Sequence, residues 1–258
     1  MKEAVILGAY TDTIEKEWSL IKTILDWKKH NIPIILSTHY PVSEKIQNLV
    51  DYYIFDKEQY MEEKLMVSQW YRCESFQITA KANRPYHAAA ALIAFQNAIR
   101  SIGDKFDFIY LQDYDVDLNK QELFNIVRPL QSSNYELFVF NWKGDVRGYA
   151  ATVIFFKQGA FNKIWGDLQS VDDYLNLVYS VNKNNIFGEA LAKDIVDMKD
   201  LHEIVYLFDE NQTNAILGNF SEHSADINEP RIYLSTTSID GAILFLVNPT
   251  QTSTLFKI

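Results

Sequence analysis

The stretch FIYLQDYDVD, Phe108 to Asp117, runs from apolar residues into aspartates at alternate positions: Asp113, Asp115 and Asp117. Carboxylates this close repel one another and raise each other's pKa unless something positive sits among them. The apolar half has the composition of a strand buried on both faces. The acidic half therefore falls where that strand ends.

Working outward, the chain before this strand alternates two patterns. AVILGAY, residues 4–10, is a short apolar run with the look of a buried strand. Asp12 is placed to cap the helix that follows, with Glu15 three residues on. Ile14, Trp18, Ile21 and Leu25 then mark one helical face. IPIILSTHY supplies a second strand, a short helix runs from Glu44 to Val50, and DYYIFD supplies a third strand. Pro85 opens an alanine-rich helix that stops at Gly103-Asp104. Strands separated by helices in this rhythm predict a mostly parallel, doubly wound sheet, in which ligands bind beyond the carboxyl ends of the strands. The aspartates stand at such an end.

The second half is less regular. YELFVFNW and AATVIFFK read as strands, GAFNKIWGDL and VDDYLNLVYS as helical pieces, and FGEALAKDIVDM as a further helix. From Ser221 onward loops mix with strands such as RIYLSTT and AILFLVN. No internal repeat or Pro- and Gly-rich linker separates the halves, so residues 1–258 are expected to form a single domain.

Composition narrows the class. The 258 residues, 48% hydrophobic and 14% aromatic, suffice for a substantial core. With 34 acidic against 24 basic side chains the net charge is −10, which argues against a general nucleic-acid-binding surface. One cysteine, Cys73, excludes an internal disulfide framework and suits a reducing compartment. The N-terminal apolar run is too short for a signal peptide, and no stretch approaches the ~20 apolar residues of a spanning helix. The expected location is cytoplasmic, with the sequons at Asn211 and Asn219 as chance matches.

Four readings of the aspartates compete. A calcium loop of the EF-hand type needs Gly at its sixth position and Glu at its twelfth. Counting from Asp113, those positions hold Leu118 and Phe124. A strand ending in Asp-x-Asp also resembles phosphotransferases of the haloacid-dehalogenase type. Their motif usually opens the domain and carries Thr or Val where Asp117 stands here. In a third reading one or two of the aspartates, Asp117 above all, simply cap a loop or helix. The fourth is a metal site for a nucleotide-sugar, where a hard divalent cation held by one or two carboxylates bridges diphosphate oxygens.

The run FDFIYLQDYDVDL, following a buried helix, resembles the Asp-x-Asp signature of GT-A-fold glycosyltransferases. With AVILGAYTD, LSTHYPVSEKIQNLVDYYIFDKE and HAAAALIAFQNAIRSIGDKFDFIYLQDYDVD, it is similar to family-2-like bacterial and viral members over roughly residues 1 to 165. The resemblance implies an α/β GT-A fold, a mostly parallel central sheet flanked by helices. Residues 1–117 would be its nucleotide-sugar-binding half and 118–258 its acceptor-binding half. It further implies a metal-dependent, inverting transfer of a sugar from a nucleoside diphosphate donor to the hydroxyl of a glycan, lipid-linked or protein acceptor, with Mn2+ or Mg2+ as cofactor.

Carried over by position, Asp115 ligates the metal and Asp113 shares it or holds the ribose. Tyr10 and Thr11 face the base, His39 ends the second strand near the nucleotide, and Lys81 and Arg84 offer charge to the phosphates. Glu189, at the start of a helix, takes the role of general base, with Asp172-Asp173 as the rival pair. His223 is a candidate third metal ligand, and Trp142 a stacking face for an acceptor sugar. Two alternatives share the fold. A nucleotidyltransferase expects a glycine-rich loop with an arginine after the first strand, which GAYTDTIEKE lacks. A non-catalytic sugar- or partner-binding domain would bind no nucleotide.

Overall fold

The structure is a computed structural model that describes residues 1–9, 11, 13–38, 40–56, 87–141, 149–181, 188–217, 231–236, 242–248 and 251–257. Tyr10, Asp12, His39, Cys73, Lys81, Arg84, Pro85, Trp142, Asn219 and His223 lie outside the described residues.

In chain order the first half runs β1 (Glu3–Ala9), α1 (Ile14–Lys28), β2 (Ile34–Thr38), α2 (Glu44–Gln47), β3 (Tyr52–Phe55), α3 (His87–Ile102) and β4 (Phe108–Asp113). After these come α4 (Lys120–Leu130), β5 (Leu137–Asn141), β6 (Tyr149–Lys157), α5 (Ala160–Trp165), α6 (Val171–Val181), α7 (Gly188–Met198), β7 (Val205–Phe208) and α8 (Glu210–Leu217). Arg231–Thr236, Ala242–Asn248 and Gln251–Lys257 form β8, β9 and β10, a separate antiparallel sheet.

Seven strands make the central sheet in the order β3-β2-β1-β4-β6-β5-β7. β1 pairs in parallel with both β2 and β4, β2 with β3, and β5 with β7, while β6 runs antiparallel to β4 and β5. The mostly parallel, helix-flanked sheet predicted from the strand and helix rhythm is what the chain forms. Its strands come from both halves of the sequence.

The apolar runs explain the centre. β1 and β4 are buried along almost their whole length because helices cover both faces of the sheet. On one face Ala4, Ile6, Ile109 and Leu111 pack with α3, α5, α6 and α7. On the other Val5, Leu7, Phe108 and Tyr110 pack with α1, α2, α4 and α8. The pleat assigns alternate residues to opposite cores. This places Asp113 on the α3 side and Gln112 on the α1 side.

Helix α1 corrects two expectations. Its N-cap is Thr13, whose side chain accepts from the Lys16 amide at 3.4 Å, one residue beyond the expected Asp12. The stripe Ile14, Trp18 and Leu25 also points to solvent, with exposures of 61%, 60% and 47%. The face turned inward carries Leu20, Thr23, Ile24 and Trp27. Apolar residues recur on two opposite sides of this helix, so periodicity alone could not say which side meets the sheet. The bulk of Trp27 decides it, since the indole packs against Tyr110 at 5.4 Å and Phe124 at 6.1 Å between ring centroids.

At the amino end of the sheet Glu3 gathers a polar network. Its carboxylate accepts from the Tyr110 hydroxyl at 2.6 Å, Gln131 Nε2 at 2.7 Å and Arg128 Nη2 at 2.8 Å. Burial pushes the Glu3 pKa up, but hydrogen bonds from Arg128, Tyr110 and Gln131 outweigh it and hold the group below its ordinary 4.5. A carboxyl depressed on folding contributes stability above its unfolded pKa and loses it as pH falls through the folded one. Urea unfolding is therefore expected to show Glu3→Gln clearly less stable than wild type at pH 7, with the gap narrowing below pH ~4.5. A gap independent of pH contradicts the network's role.

Candidate active site at the carboxyl end of β4

β4 hands its chain directly to a tight turn. The Val116 amide donates to the Asp113 carbonyl at 3.2 Å, and the Tyr114 amide donates to the Gly8 carbonyl at 3.1 Å. Asp113 is thus the last residue of the strand, one position later than the apolar run alone predicts. Past the turn Val116 and Leu118 tuck into the α1 core, which leaves Asp115 and Asp117 on the outer side.

The structure separates the three aspartates. Asp117 turns toward α1, where Lys22 Nζ donates to its two oxygens at 3.0 and 2.9 Å. Both side chains are well exposed, at 79% and 68%, so this pair is worth at most ~1 kcal/mol, yet it directs Asp117 away from its neighbours. Capping of α4 falls instead to Asn119, which accepts from the Glu122 amide. Asp113 sits in register beside Gly8. A Cβ on Gly8 would lie 2.9 Å from Asp113 Oδ1 and 2.5 Å from Phe95 Cε1. The missing side chain makes a cradle for the carboxylate. Asp115 is exposed at the apex of the turn.

From behind, α1 holds the turn. Thr23 Oγ1 donates to the Tyr114 carbonyl at 2.7 Å, with Ser19 Oγ at 3.5 Å from the same oxygen. Gln112, fully buried, accepts from Trp27 Nε1 at 2.8 Å and donates its amide to the Val116 carbonyl.

Two buried hydroxyls mark the neighbouring strand ends. Thr38 closes β2 and Thr11 follows β1, at 0% and 4% exposure. Neither Oγ1 has a hydrogen-bond partner among the described residues. Buried polar atoms are nearly always satisfied, so orphaned hydroxyls at the ligand end of a parallel sheet are groups that a bound molecule can satisfy.

The rival carboxylates behave differently. Asp173 caps its own helix, accepting from the Gln169 and Ser170 amides at 3.0 and 2.9 Å and from the Ser170 hydroxyl at 2.8 Å. Hydrogen bonds from Ser170 and the Gln169 amide hold its pKa below the usual carboxylate range, which suits a cap better than a proton acceptor. Glu189 is the second residue of α7, a helix that packs against β6.

A groove of about 780 Å³ lies behind the turn, lined by Trp18, Ile21, Lys22, Thr23, Leu118 and Leu217 among others. Its walls include Asp117 but neither Asp113 nor Asp115, so it is not the mouth of this site. Sequence reasoning passed over Gly8, Thr23, Thr38 and Gln112. A glycine inside a strand signals close approach of another group, and a glutamine inside an apolar run needs a buried partner. Those two signals were present.

Oxygen donors at this turn fit a hard divalent cation, for which Mg2+ and Mn2+ sites suffice with one or two carboxylates plus substrate phosphates. No group of three metal-ligating side chains occurs among the described residues.

No protein-family model matches the sequence, and no curated protein matches it. Solved structures do match in shape. Core-mannan synthase A from Aspergillus fumigatus, in its Mn/GDP form, aligns with a TM-score of 0.45 and 12% identity over 84% of this chain and 73% of that one. The apo-form glycosyltransferase GlyE from Streptococcus pneumoniae gives 0.41 and 13%, over 82% of this chain and 46% of that one. TarS 1-349 from S. aureus gives 0.34 and 14%, over 70% and 56%. This chain spans about half the length of the last two. With TM-scores below 0.5, these likenesses carry no chemical argument.

Proposed function

We propose that the protein is a GT-A-type glycosyltransferase that moves a sugar from a nucleoside diphosphate to a hydroxyl acceptor, with inversion, using Mn2+ or Mg2+. One observation carries the reading. The end of β4 keeps Asp113 in the space left by Gly8 and presents Asp115 at the apex of the turn, while Lys22 draws the third aspartate away.

Asp115 and Asp113 would hold the cation, whose bound charge stabilises the departing diphosphate. Thr11 and Thr38, whose hydroxyls have no partner among the described residues, would hydrogen-bond the nucleotide, and Tyr10 and His39 adjoin them in sequence. Arg84 is proposed to meet phosphate oxygens. In the transfer the acceptor oxygen bonds to the anomeric carbon as the bond from that carbon to the β-phosphate oxygen breaks. The acceptor proton passes to a general base, for which Glu189 is proposed.

No helix among the described residues is long and apolar enough to cross a membrane. A cytoplasmic site of action, with a glycan, lipid-linked or protein acceptor, completes the proposal.

A panel of nucleoside diphosphate sugars screened for slow hydrolysis tests it. At least one donor is expected to release its nucleoside diphosphate with Mn2+ or Mg2+ and to stop doing so when EDTA is added. Binding of no nucleoside diphosphate across the panel, by calorimetry with Mn2+ present, contradicts the reading and favours a non-catalytic domain.

A further inference from the structure

The turn that carries Asp113 and Asp115 is short, and one of those carboxylates is exposed, yet its backbone is held from the protein interior at the residues on either side of Asp115. Thr23, buried on the inner face of α1, donates to the Tyr114 carbonyl at 2.7 Å. Gln112 ties the Val116 carbonyl to the Trp27 indole across the same core. The Tyr114 carbonyl belongs to the peptide that enters Asp115, and Val116 follows it. The peptide that enters Asp115 is thereby set by Thr23, and the peptide between Val116 and Asp117, one beyond the peptide that leaves Asp115, by Gln112.

We infer that Thr23 and Gln112 are positioning residues of the metal site: they fix where the Asp115 carboxylate falls relative to Asp113. This rests on the proposed metal role of those two aspartates. Without these side-chain anchors the turn is held only by its backbone bonds from Val116 to Asp113 and from Tyr114 to Gly8, and any shift of the remaining peptide planes swings the exposed carboxylate relative to the one beside Gly8. Thr23 stands on α1 and Gln112 points to the opposite face of β4 from Asp113, so neither touches a ligand bound at the turn. Their effect is confined to geometry. The groove behind the turn also reaches Thr23, but nothing in the structure indicates what would fill it.

The test is Mn2+ affinity, measured by counting free Mn2+ with electron paramagnetic resonance in titrations of the full chain with GDP and with UDP. Thr23→Val keeps the shape of the side chain and removes the donor. Gln112→Met cuts the turn from the strand side. Each is expected to weaken Mn2+ binding by about tenfold, the low end of what losing a partner that orients a metal ligand costs. Thr23→Ser, which restores the hydroxyl, is expected to bind within about twofold of wild type, and that rescue separates positioning from packing.

Melting temperatures are taken alongside, and should one of the cutting variants fail to fold the other gives the same reading. Undiminished Mn2+ affinity in a folded Thr23→Val or Gln112→Met variant overturns the inference, as does equal loss in Thr23→Ser. Wild-type protein that binds Mn2+ no better than Asp115→Ala refutes the metal reading itself, an outcome distinct from either of these.

Discussion

Asp115→Ala is expected to abolish metal-dependent release of nucleoside diphosphate, with turnover falling by about 10³-fold or more. Losing charge stabilisation at a leaving group costs several kcal/mol of barrier, and each ~1.4 kcal/mol is tenfold in rate. The same change is expected to leave folding nearly intact, because Asp115 is exposed and the anchors of the turn are backbone carbonyls. Asp113→Ala should behave similarly in turnover.

The control is Asp117→Ala. It belongs to the same acidic run but pairs with Lys22 in solvent, so activity should stay within about twofold and stability within ~1 kcal/mol. Turnover assays on the three variants, with unfolding curves, distinguish a metal site from an acidic surface. Equal losses at positions 115 and 117 contradict the division of roles that the turn displays.

Gly8→Ala carries the second large effect. One methyl at this position would meet Phe95 Cε1 and Cζ at 2.5 and 2.8 Å and Asp113 Oδ1 at 2.9 Å. Phe95 is buried in the middle of α3 and cannot swing aside, so strain of about 1–3 kcal/mol is expected. Because Asp113 is the neighbour in register, activity should fall as well, by at least tenfold.

A double variant separates the two consequences. Phe95→Leu in the Gly8→Ala background removes the ring that the methyl strikes and should recover part of the lost stability. It leaves the contact with Asp113, so activity should stay low. Recovery of stability and activity together would show that the glycine serves packing alone. Chemical unfolding and donor hydrolysis on the four members of the cycle provide the measurement.

Much of the sheet could be seen in the chain. AVILGA, IILST and FIYLQD declare themselves because strands covered on both faces by helices need continuous apolar runs. β7 and α8 were not anticipated. The strand is only four residues long and lies at the edge of the sheet, and the eight-residue helix is largely polar. α4 also escaped notice, although Asn119 with Glu122 three residues on is a legible start signal. The orientation of α1 could not be read, because Trp18 and Trp27 lie on opposite faces of one helix and only the sheet chooses between them.

The site divides in the same way. Three acidic residues at the end of a buried strand predict a ligand-binding end, since local sequence alone places them there. That Asp117 turns away from its neighbours depends on Lys22, which is 95 residues away in the chain. Thr23 reaches the turn across a similar span of 91 residues. Partnerships of this kind arise from packing α1 on the sheet, and no local pattern announces them. Gly8 is the intermediate case, legible as a glycine inside a strand but given meaning only by the register that brings Asp113 beside it.

The most direct measurement is an anomalous difference map from crystals grown with Mn2+ and a nucleoside diphosphate. A manganese peak is expected at the tip of β4, with an oxygen of Asp115 at coordination distance, about 2.0–2.4 Å, and the diphosphate completing the shell. A peak elsewhere, or nucleotide bound with Asp113 and Asp115 both turned from it, would contradict the central claim.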